Sequence, residues 1–450
     1  KTIGSYAFCR TPLRALLLPD SIKSIRDRAL CYGRFPTVRI PPLVTTLSKL
    51  TFFNCSSMFS AELPETITQV VEGCHGGVFD NCRSLRNVAV PPQAVVNVNT
   101  FKDCTDLLQL FGSQEQIINA LKHRFDNLPI HKMIYYHSYN NLTSEQLERV
   151  MDMRSGQRRT LRSKLNPTGN QQDCLGMTPL HILACSTVQN MELYQVLIEK
   201  YPENLIVKDE WGTVPLLYAV WGNAPSEIVQ FLIERYESIY PNYEFDWTGM
   251  ITTLGERSAP ESSIQSLLDL QKVSFPAQKI DWDEILNTLA NVKPYDEDDE
   301  LSRASLRVSF QFLVNASMST RINAIGLKLW RDDMAGLLAE PIPRKKSRRA
   351  WLSNVNSKLS YYEAEYQLLK EATTILELAL WKMKLDELNC QRLGKKMRKV
   401  EDSDLRKQCR ISCGADIVIE HVLNYLIVPP VEGSSEYDDD ISSSDSEGDY

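Results

Sequence analysis

Apolar and polar positions alternate in four short stretches near the start of the chain, and each stretch ends at a proline. The apolar residues just before these prolines are Leu18, Ile40, Leu63 and Val90. Alternation with a period of two is typical of a strand, and proline ends a strand because it cannot donate to the ladder. The pattern predicts one short strand per repeat, on the alternations Leu13-Leu16-Leu18, Phe35-Val38-Ile40, Met58-Ala61-Leu63 and Leu85-Val88-Val90.

A second apolar series runs in step with the first. Phe8, Leu30 and Phe52 lie 22 residues apart, Phe79 follows after 27 residues and Phe101 after another 22. A short unit cannot close its own core, so each of these side chains is expected to stack on the next. The cysteines three residues further on are predicted to be small buried residues of that core rather than metal or redox groups: Cys55, Cys82 and Cys104.

The segment IGSYAFCRTPLRALLLPDSIKSI resembles the leucine-rich repeats of the BspA-like class. The resemblance covers residues 1–112 in five units and implies a leucine-rich-repeat solenoid, without indicating a ligand. The fourth unit carries an insertion with Cys74-His75-Gly76-Gly77, which is expected to bulge from one face as a loop.

A different repeat begins at residue 174, after a predicted helical connector at 113–173. The run Gly176-x-Thr178-Pro179-Leu180-His181-x-x-Ala184 resembles an ankyrin repeat, and a looser copy starts 36 residues later at Gly212. The resemblance implies that Thr178 and His181 hydrogen-bond within the turn and between units, which makes His181 structural. Trp211, Trp247 and Trp282 continue the spacing, so residues 174–295 are predicted to be divergent ankyrin-like repeats, with capping helices as the alternative for the later part.

Residues 301–428 are predicted to form a helical bundle. Apolar residues spaced alternately by four and three predict a long heptad helix over 352–389, whose seam needs a partner. The partner is either a helix over 303–338, broken near Gly326, or a second copy of the chain. Extra apolar residues widen the stripe and favour the bundle, and hence a monomer, over a coiled-coil homodimer. The seam is Val355, Leu359, Tyr362, Tyr366, Leu369, Thr373, Leu376, Leu380 and Met383, and the extra residues are Leu368, Ile375, Leu378 and Ala379.

Composition adds a prediction of compartment. The 450 residues carry a net charge of −7, and no apolar stretch approaches the ~18 residues of a membrane span, which predicts a soluble protein of two to four domains. Eleven scattered cysteines fit a reducing, cytoplasmic compartment. The basic run 344–349 resembles a nuclear import signal, with a solvated charge run as the alternative. The chain starts at Lys1 inside a repeat, so we expect sequence before it, and a signal peptide there would direct export.

The net acidity lies at the end of the chain, in a predicted disordered Ser-rich tail at 429–450. From Glu432 onward there are eight acidic residues and no basic one, so the rest of the chain is nearly neutral. Four serines precede an acidic residue by three positions and are candidates for phosphorylation, which would strengthen contact with a basic surface. They are Ser435, Ser442, Ser444 and Ser446.

Motifs of catalysis are missing from the sequence, including phosphate-binding glycine loops and zinc spacings; Cys409 and Cys413 have only His421 nearby. We therefore predict no catalytic, cofactor or metal residues, no cofactor and no nucleic acid, and a protein–protein interaction scaffold or adaptor. The alternatives are an exported cell-surface adhesion protein, and an enzyme with a deep pocket lined by two or more titratable residues within 301–428. The architecture resembles repeat-protein families of diatoms and related algae.

Overall fold

The structure, a computed structural model, describes residues 1–11, 13–71, 76–155, 169–292, 300–344 and 346–394. The chain divides into two compact units, one formed by Lys1–Ser317 with Pro341–Leu352, the other by Met318–Glu340 with residues from Ser353 onward. Several predicted features lie outside the described residues: Cys74 and His75 of the insertion, Lys345 of the basic run 344–349, residues 395–428 of the bundle with Cys409 and Cys413, and the acidic tail.

Eight short strands form two parallel sheets in the first part of the chain. The larger sheet has the order β1-β2-β4-β6-β8 and the smaller β3-β5-β7, so each unit pairs with the next. In the smaller sheet Val38 pairs with Ala61, which pairs with Val88. The strands are β1 Thr2–Ile3, β2 Ser24–Ile25, β3 Thr37–Arg39, β4 Thr46–Leu47, β5 Ser60–Glu62, β6 Gln69–Val70, β7 Asn87–Val88 and β8 Val95–Val96.

The prediction of one strand per repeat is wrong, because most units contribute two. After the proline the chain makes a tight turn, in which Val44 N donates to Pro41 O and Ile67 N to Pro64 O, and a second strand follows. That strand is only two residues long, too short to produce an alternation in the sequence. The strand predicted at Leu13–Leu18 is also wrong: no strand forms there in the described residues, and Leu17 is exposed.

The predicted core ladder is confirmed from Leu30 to Phe101, whereas Phe8 at its start is exposed. The rings of Phe52, Phe79 and Phe101 are buried and stack in parallel, with centroids 5.4 and 5.6 Å apart. The Cys82 thiol donates to Phe52 O at 2.9 Å and the Cys104 thiol to Phe79 O at 3.0 Å. Burial raises the pKa of both thiols well above the usual range, which keeps them protonated as donors. Phenylalanine thus fills the core while cysteine joins each unit to the one before it.

After the strands, the first compact unit is helical. Proline at the first helical turn starts α6 and α8, where its missing N–H is harmless. Asp246 and Asp281 cap α10 and α12, so Trp247 and Trp282 are first helical residues. The helices are α1 Thr105–Phe111, α2 Gln114–Lys122, α3 Pro129–Tyr135, α4 His137–Asn140, α5 Ser144–Ser155, α6 Pro179–Ala184, α7 Met191–Lys200, α8 Pro215–Trp221, α9 Ser226–Ile239, α10 Trp247–Glu256, α11 Glu261–Ser274 and α12 Trp282–Asn291.

Three more helices follow: α13 Glu300–Ala324, α14 Lys328–Ala339 and α15 Arg348–Gly394. The interruption between α13 and α14 falls at Gly326, where an added Cβ would lie 2.5 Å from the Tyr366 ring, so glycine permits this close approach. No helix among the described residues is long and apolar enough to cross a membrane.

Candidate interaction surfaces

Two tyrosines of the connector hydrogen-bond backbone groups at the carboxyl ends of β3, β5 and β7. The buried Tyr135 hydroxyl accepts from Leu63 N and Ala89 N, both at 3.1 Å, and donates to Ala61 O at 2.9 Å. The Tyr139 hydroxyl lies 2.8 Å from Ile40 O. These contacts supply partners for backbone groups that short strands leave open. The connector, expected from the sequence to be only a joint, is therefore part of the repeat core.

Buried charges bind the same sheet to the helices. Arg86 lies 2.6 Å from Asp106 and donates to the Thr213 hydroxyl at 3.0 Å, and Arg257 reaches the same Asp106 at 2.6 Å. Glu62 accepts from Thr187 N at 2.6 Å, and burial raises the pKa of its carboxyl. Charges in the interior need such partners.

Aromatic packing completes this contact. Phe59, next to β5, lies 5.2 Å from the Tyr218 ring and 4.6 Å from the Trp221 ring of α8. All three side chains are buried. Stacked repeats commonly present a sheet face to partners, but in this chain that face is occupied by the chain's own helices.

Two equivalent turns precede α6 and α8, 36 residues apart. In the first, Asp173 accepts from Leu175 N and Met177 N; in the second, Asp209 accepts from Trp211 N and Thr213 N, all at 2.8–3.0 Å. Gly176 and Gly212 have φ of 71° and 74°, a left-handed conformation that favours glycine. An added Cβ at Gly176 would also lie 2.6 Å from Glu210 N.

His181 connects these two turns. Its Nδ1 accepts from Thr178 N at 3.2 Å, and its Nε2 donates to Thr213 O at 3.1 Å in the next turn. Burial lowers the pKa of this imidazole, so it stays neutral with one nitrogen accepting and the other donating. The structure thus has the predicted hydrogen bond within the turn and a second one to the following turn, and both ring nitrogens of His181 are used in these contacts.

A surface reachable from solvent remains on the turns of the first repeats, which we call the turn strip: Tyr6 and Arg10 are exposed, and Arg28, Tyr32 and Phe53 are half-buried. The Arg28 guanidinium lies over the Tyr6 ring at 5.7 Å and that of Arg10 over the Tyr32 ring at 5.2 Å. The Tyr32 and Phe53 rings meet edge to face at 5.4 Å. Nothing in the repeat period predicted this strip, because the period reports buried positions.

Backbone hydrogen bonds hold the turns of the turn strip in place. Tyr6 N donates to Asp27 O at 3.1 Å and Tyr32 N to Phe53 O at 2.8 Å, so each turn is bonded to the next unit. Arg10 and Tyr32 have φ of 60° and 61°, at positions that Asn54 and Asn81 occupy in later units with similar angles. Asparagine is the residue that best tolerates this conformation after glycine. Arg10 and Tyr32 thus occupy positions whose backbone conformation favours asparagine.

The second compact unit, which contains α14 and most of α15, carries an apolar surface on α15. Leu369 and Tyr366 line an open groove of about 200 Å³ together with Leu327, Lys370 and Glu377. This groove holds the titratable groups that the enzyme alternative requires, yet Lys370 and Glu377 lie two turns apart on one helix, ~10 Å along its axis. They do not converge on one point. Among the described residues no group of three or more His, Cys, Asp or Glu is placed to hold a metal ion.

The stacked parallel sheets, the phenylalanine ladder and the bonded turns define the amino-terminal part as a repeat solenoid, followed by a helical region. The family model described as "BspA type Leucine rich repeat region" matches residues 1–134 in six copies. The match extends the five units expected over 1–112 by one copy, which takes in α2 and most of α3. Searches of curated proteins and of solved structures returned no match.

Proposed function

We propose that this protein is a non-enzymatic scaffold or adaptor that binds a protein partner through the turn strip. The observation that carries the proposal is the set of exposed and half-buried tyrosine and arginine side chains, which lie on turns that backbone hydrogen bonds hold in place. Tyrosine, tryptophan and arginine dominate the binding energy of protein interfaces. A surface that is already ordered loses little conformational entropy on binding.

The helices that cover the small sheet support this assignment of surface. Because Tyr135, Arg86 and Phe59 are buried against helices of the same chain, a partner has no access to that face. The turn strip lies at other positions of each repeat and keeps solvent access, fully at Tyr6 and Arg10 and partly at Arg28, Tyr32 and Phe53. Stacked repeats of this kind generally bind rather than catalyse, which is consistent with a role outside catalysis.

We further propose that residues 174–295 are divergent ankyrin-like repeats, that 113–173 is their connector, that 301–428 is a helical bundle and that the tail 429–450 regulates binding. The support for the ankyrin-like part is the pair of turns at Asp173 and Asp209 and the His181 bond between them. The helix pairs α6–α7, α8–α9 and α10–α11 follow at matching intervals.

Between an adaptor and a cell-surface adhesion protein, the cysteines favour the adaptor. The seven cysteines whose side chains the structure describes are free, and Cys55, Cys82 and Cys104 use their thiol hydrogens to join the repeats. A role as hydrogen-bond donor requires the reduced form, which a reducing compartment maintains.

The test is affinity capture from native lysate with the full chain, followed by quantitative mass spectrometry. The variant Arg10→Asn/Tyr32→Asn removes an arginine and a tyrosine but introduces the residue found at the equivalent positions in later units. The matched control, Arg235→Ala/Tyr240→Ala, removes the same two residue types from α9 and its carboxyl end. We expect a partner to be retained by the wild type and the control, and reduced at least tenfold by the strip variant.

Other outcomes change the proposal. Equal retention by all three proteins would move binding away from the turn strip. Loss of the partner on truncation at Pro430 would assign recognition to the tail. If the wild type retains no protein above background, the scaffold proposal is wrong.

A further inference from the structure

The apolar seam of α15 is covered at its start. The Trp330 ring stacks on the Tyr362 ring at 5.3 Å, and Tyr362 donates to Asp333, which also pairs with Lys358 at 2.8 Å. Arg321 of α13 pairs with Glu363 at 2.8 Å. The seam positions up to Tyr362 are therefore packed within the chain.

Beyond Tyr362 the seam emerges from this packing. Leu376 and Met383 are 47% and 62% exposed, although both continue the alternating spacing of the buried part. Three neighbouring residues that widen the apolar stripe, Leu368, Ile375 and Leu378, are 56–67% exposed. An apolar helical surface of this length costs free energy in water unless something covers it.

The groove of about 200 Å³ begins where the covering ends. It is lined by Leu327, Tyr366, Leu369 and Thr373. Thr373 is the smallest of the seam residues beyond Tyr362. A groove of this form accepts side chains from a second helix in the way that knobs fill holes.

We propose that a second copy of this chain fills the groove, by antiparallel pairing of the 366–383 segments of two α15 helices. In this register Tyr366 faces Met383 of the second copy, Leu369 faces Leu380, and Thr373 faces Leu376. Each small or flat side chain is thereby matched with a longer flexible one. The twofold axis repeats every contact, so one seam supplies both halves of the interface.

The charges beside the seam favour this partner. Lys370 and Glu377 occupy equivalent flanking positions, seven residues apart. Seven residues is two turns, ~10 Å, too far for a pair within one helix. In the antiparallel register Lys370 of each copy meets Glu377 of the other, which gives two opposite-charge contacts.

The residues on the other side of the seam also fit the antiparallel pairing. Ala372 and Ala379 lie on that side of the seam near the middle of the segment and allow two helices to approach closely. A parallel pair would instead place Tyr366 against Tyr366 and Thr373 against Thr373, large against large and small against small. The proposal departs from the monomer favoured by the sequence pattern, because the residues that widen the stripe are exposed rather than packed in a bundle.

The experiment measures the mass of the full chain by size exclusion with light scattering, for the wild type, Lys370→Glu and the charge swap Lys370→Glu/Glu377→Lys. We expect the wild type at twice the 51.4 kDa chain mass, a dissociation constant at least tenfold higher for Lys370→Glu, and recovery in the charge swap. Lys382→Glu, which changes the charge equally on the opposite side of the helix, is expected to leave the mass unchanged.

Three results would overturn the proposal. A wild-type chain that stays monomeric at about 100 µM has no such interface. A charge swap that does not recover the dimer indicates parallel pairing, in which Lys370 faces Glu365 and the change at 377 cannot compensate. An equal effect of Lys382→Glu indicates a general effect of charge. These measurements do not involve the turn strip, so they leave the scaffold proposal unaffected.

Discussion

The Arg124 guanidinium lies 2.7 Å from the Asp173 carboxylate, and neither side chain has any exposed surface. The same guanidinium donates to the Asn87 side chain at 2.8 Å and to Val88 O at 3.0 Å. Arg124, two residues after the end of α2, therefore links strand β7 to the turn before α6.

Replacing Arg124 with Met should destabilise the protein by about 3–5 kcal/mol, because the Asp173 carboxylate would stay buried without its counter-charge. The measurement is urea unfolding followed by tryptophan fluorescence. Lys132→Met is the control, since its pair with Glu65 is about half exposed and pairs of that kind contribute below about 1 kcal/mol. Similar losses in both variants would contradict a special role for the buried pair.

Tyr135→Phe tests the closure of the strand ends. The variant keeps the ring but leaves Leu63 N and Ala89 N without their acceptor, so we expect a loss of about 2–4 kcal/mol. Tyr6→Phe removes a hydroxyl that accepts only from Arg28 at an exposed site and should change stability by less than about 0.5 kcal/mol. Calorimetry of the full chain provides the comparison, and a neutral Tyr135→Phe would show that water replaces the hydroxyl.

Phe79→Ala should remove about 3–5 kcal/mol, because the ring is buried between two stacked neighbours and its loss leaves a cavity. Phe8→Ala, at the exposed start of the same series, should cost less than about 1.5 kcal/mol. Amide hydrogen exchange in β5 and β7 gives a local readout, and protection there should fall only in Phe79→Ala.

We expect the protein to lose stability as the pH is lowered, because of His181. Burial lowers the pKa of this imidazole below its usual 6.5, so below that pH the unfolded chain binds a proton that the folded chain does not, and folding weakens. Each proton contributes about 1.4 kcal/mol per pH unit. Between pH 7.5 and 5.5 the wild type should lose about 1 kcal/mol more than His181→Gln.

Glutamine is the matched replacement for His181, because its side chain can still accept from the Thr178 N–H as in a capping box. The Glu62 carboxyl, whose pKa burial raises, is present in both proteins and cancels in the difference. Unfolding free energies with the same pH slope in both variants would show that another group dominates this range.

The sequence predicted what repeats within the chain. The Phe52–Phe79–Phe101 ladder and its cysteines recur after 27 and then 22 residues, and the Thr178–His181 turn carries a motif, so both could be predicted from residue types. The second strand of each unit was missed because β2, β4 and β6 are only two residues long. A local sequence pattern also cannot predict a contact such as that of Tyr135 with Ala89, because these residues are 46 positions apart.

The face of β3, β5 and β7 that the helices cover also determines where the protein can change in length. A repeat inserted or lost between β5 and β7 would shift Phe59, Glu62 and Arg86 out of register with the helices that they contact. The units that carry β1 and β2 lie before these contacts along the stack. Gain or loss of a repeat is therefore tolerated best at the amino-terminal end, where related proteins are expected to differ in repeat number.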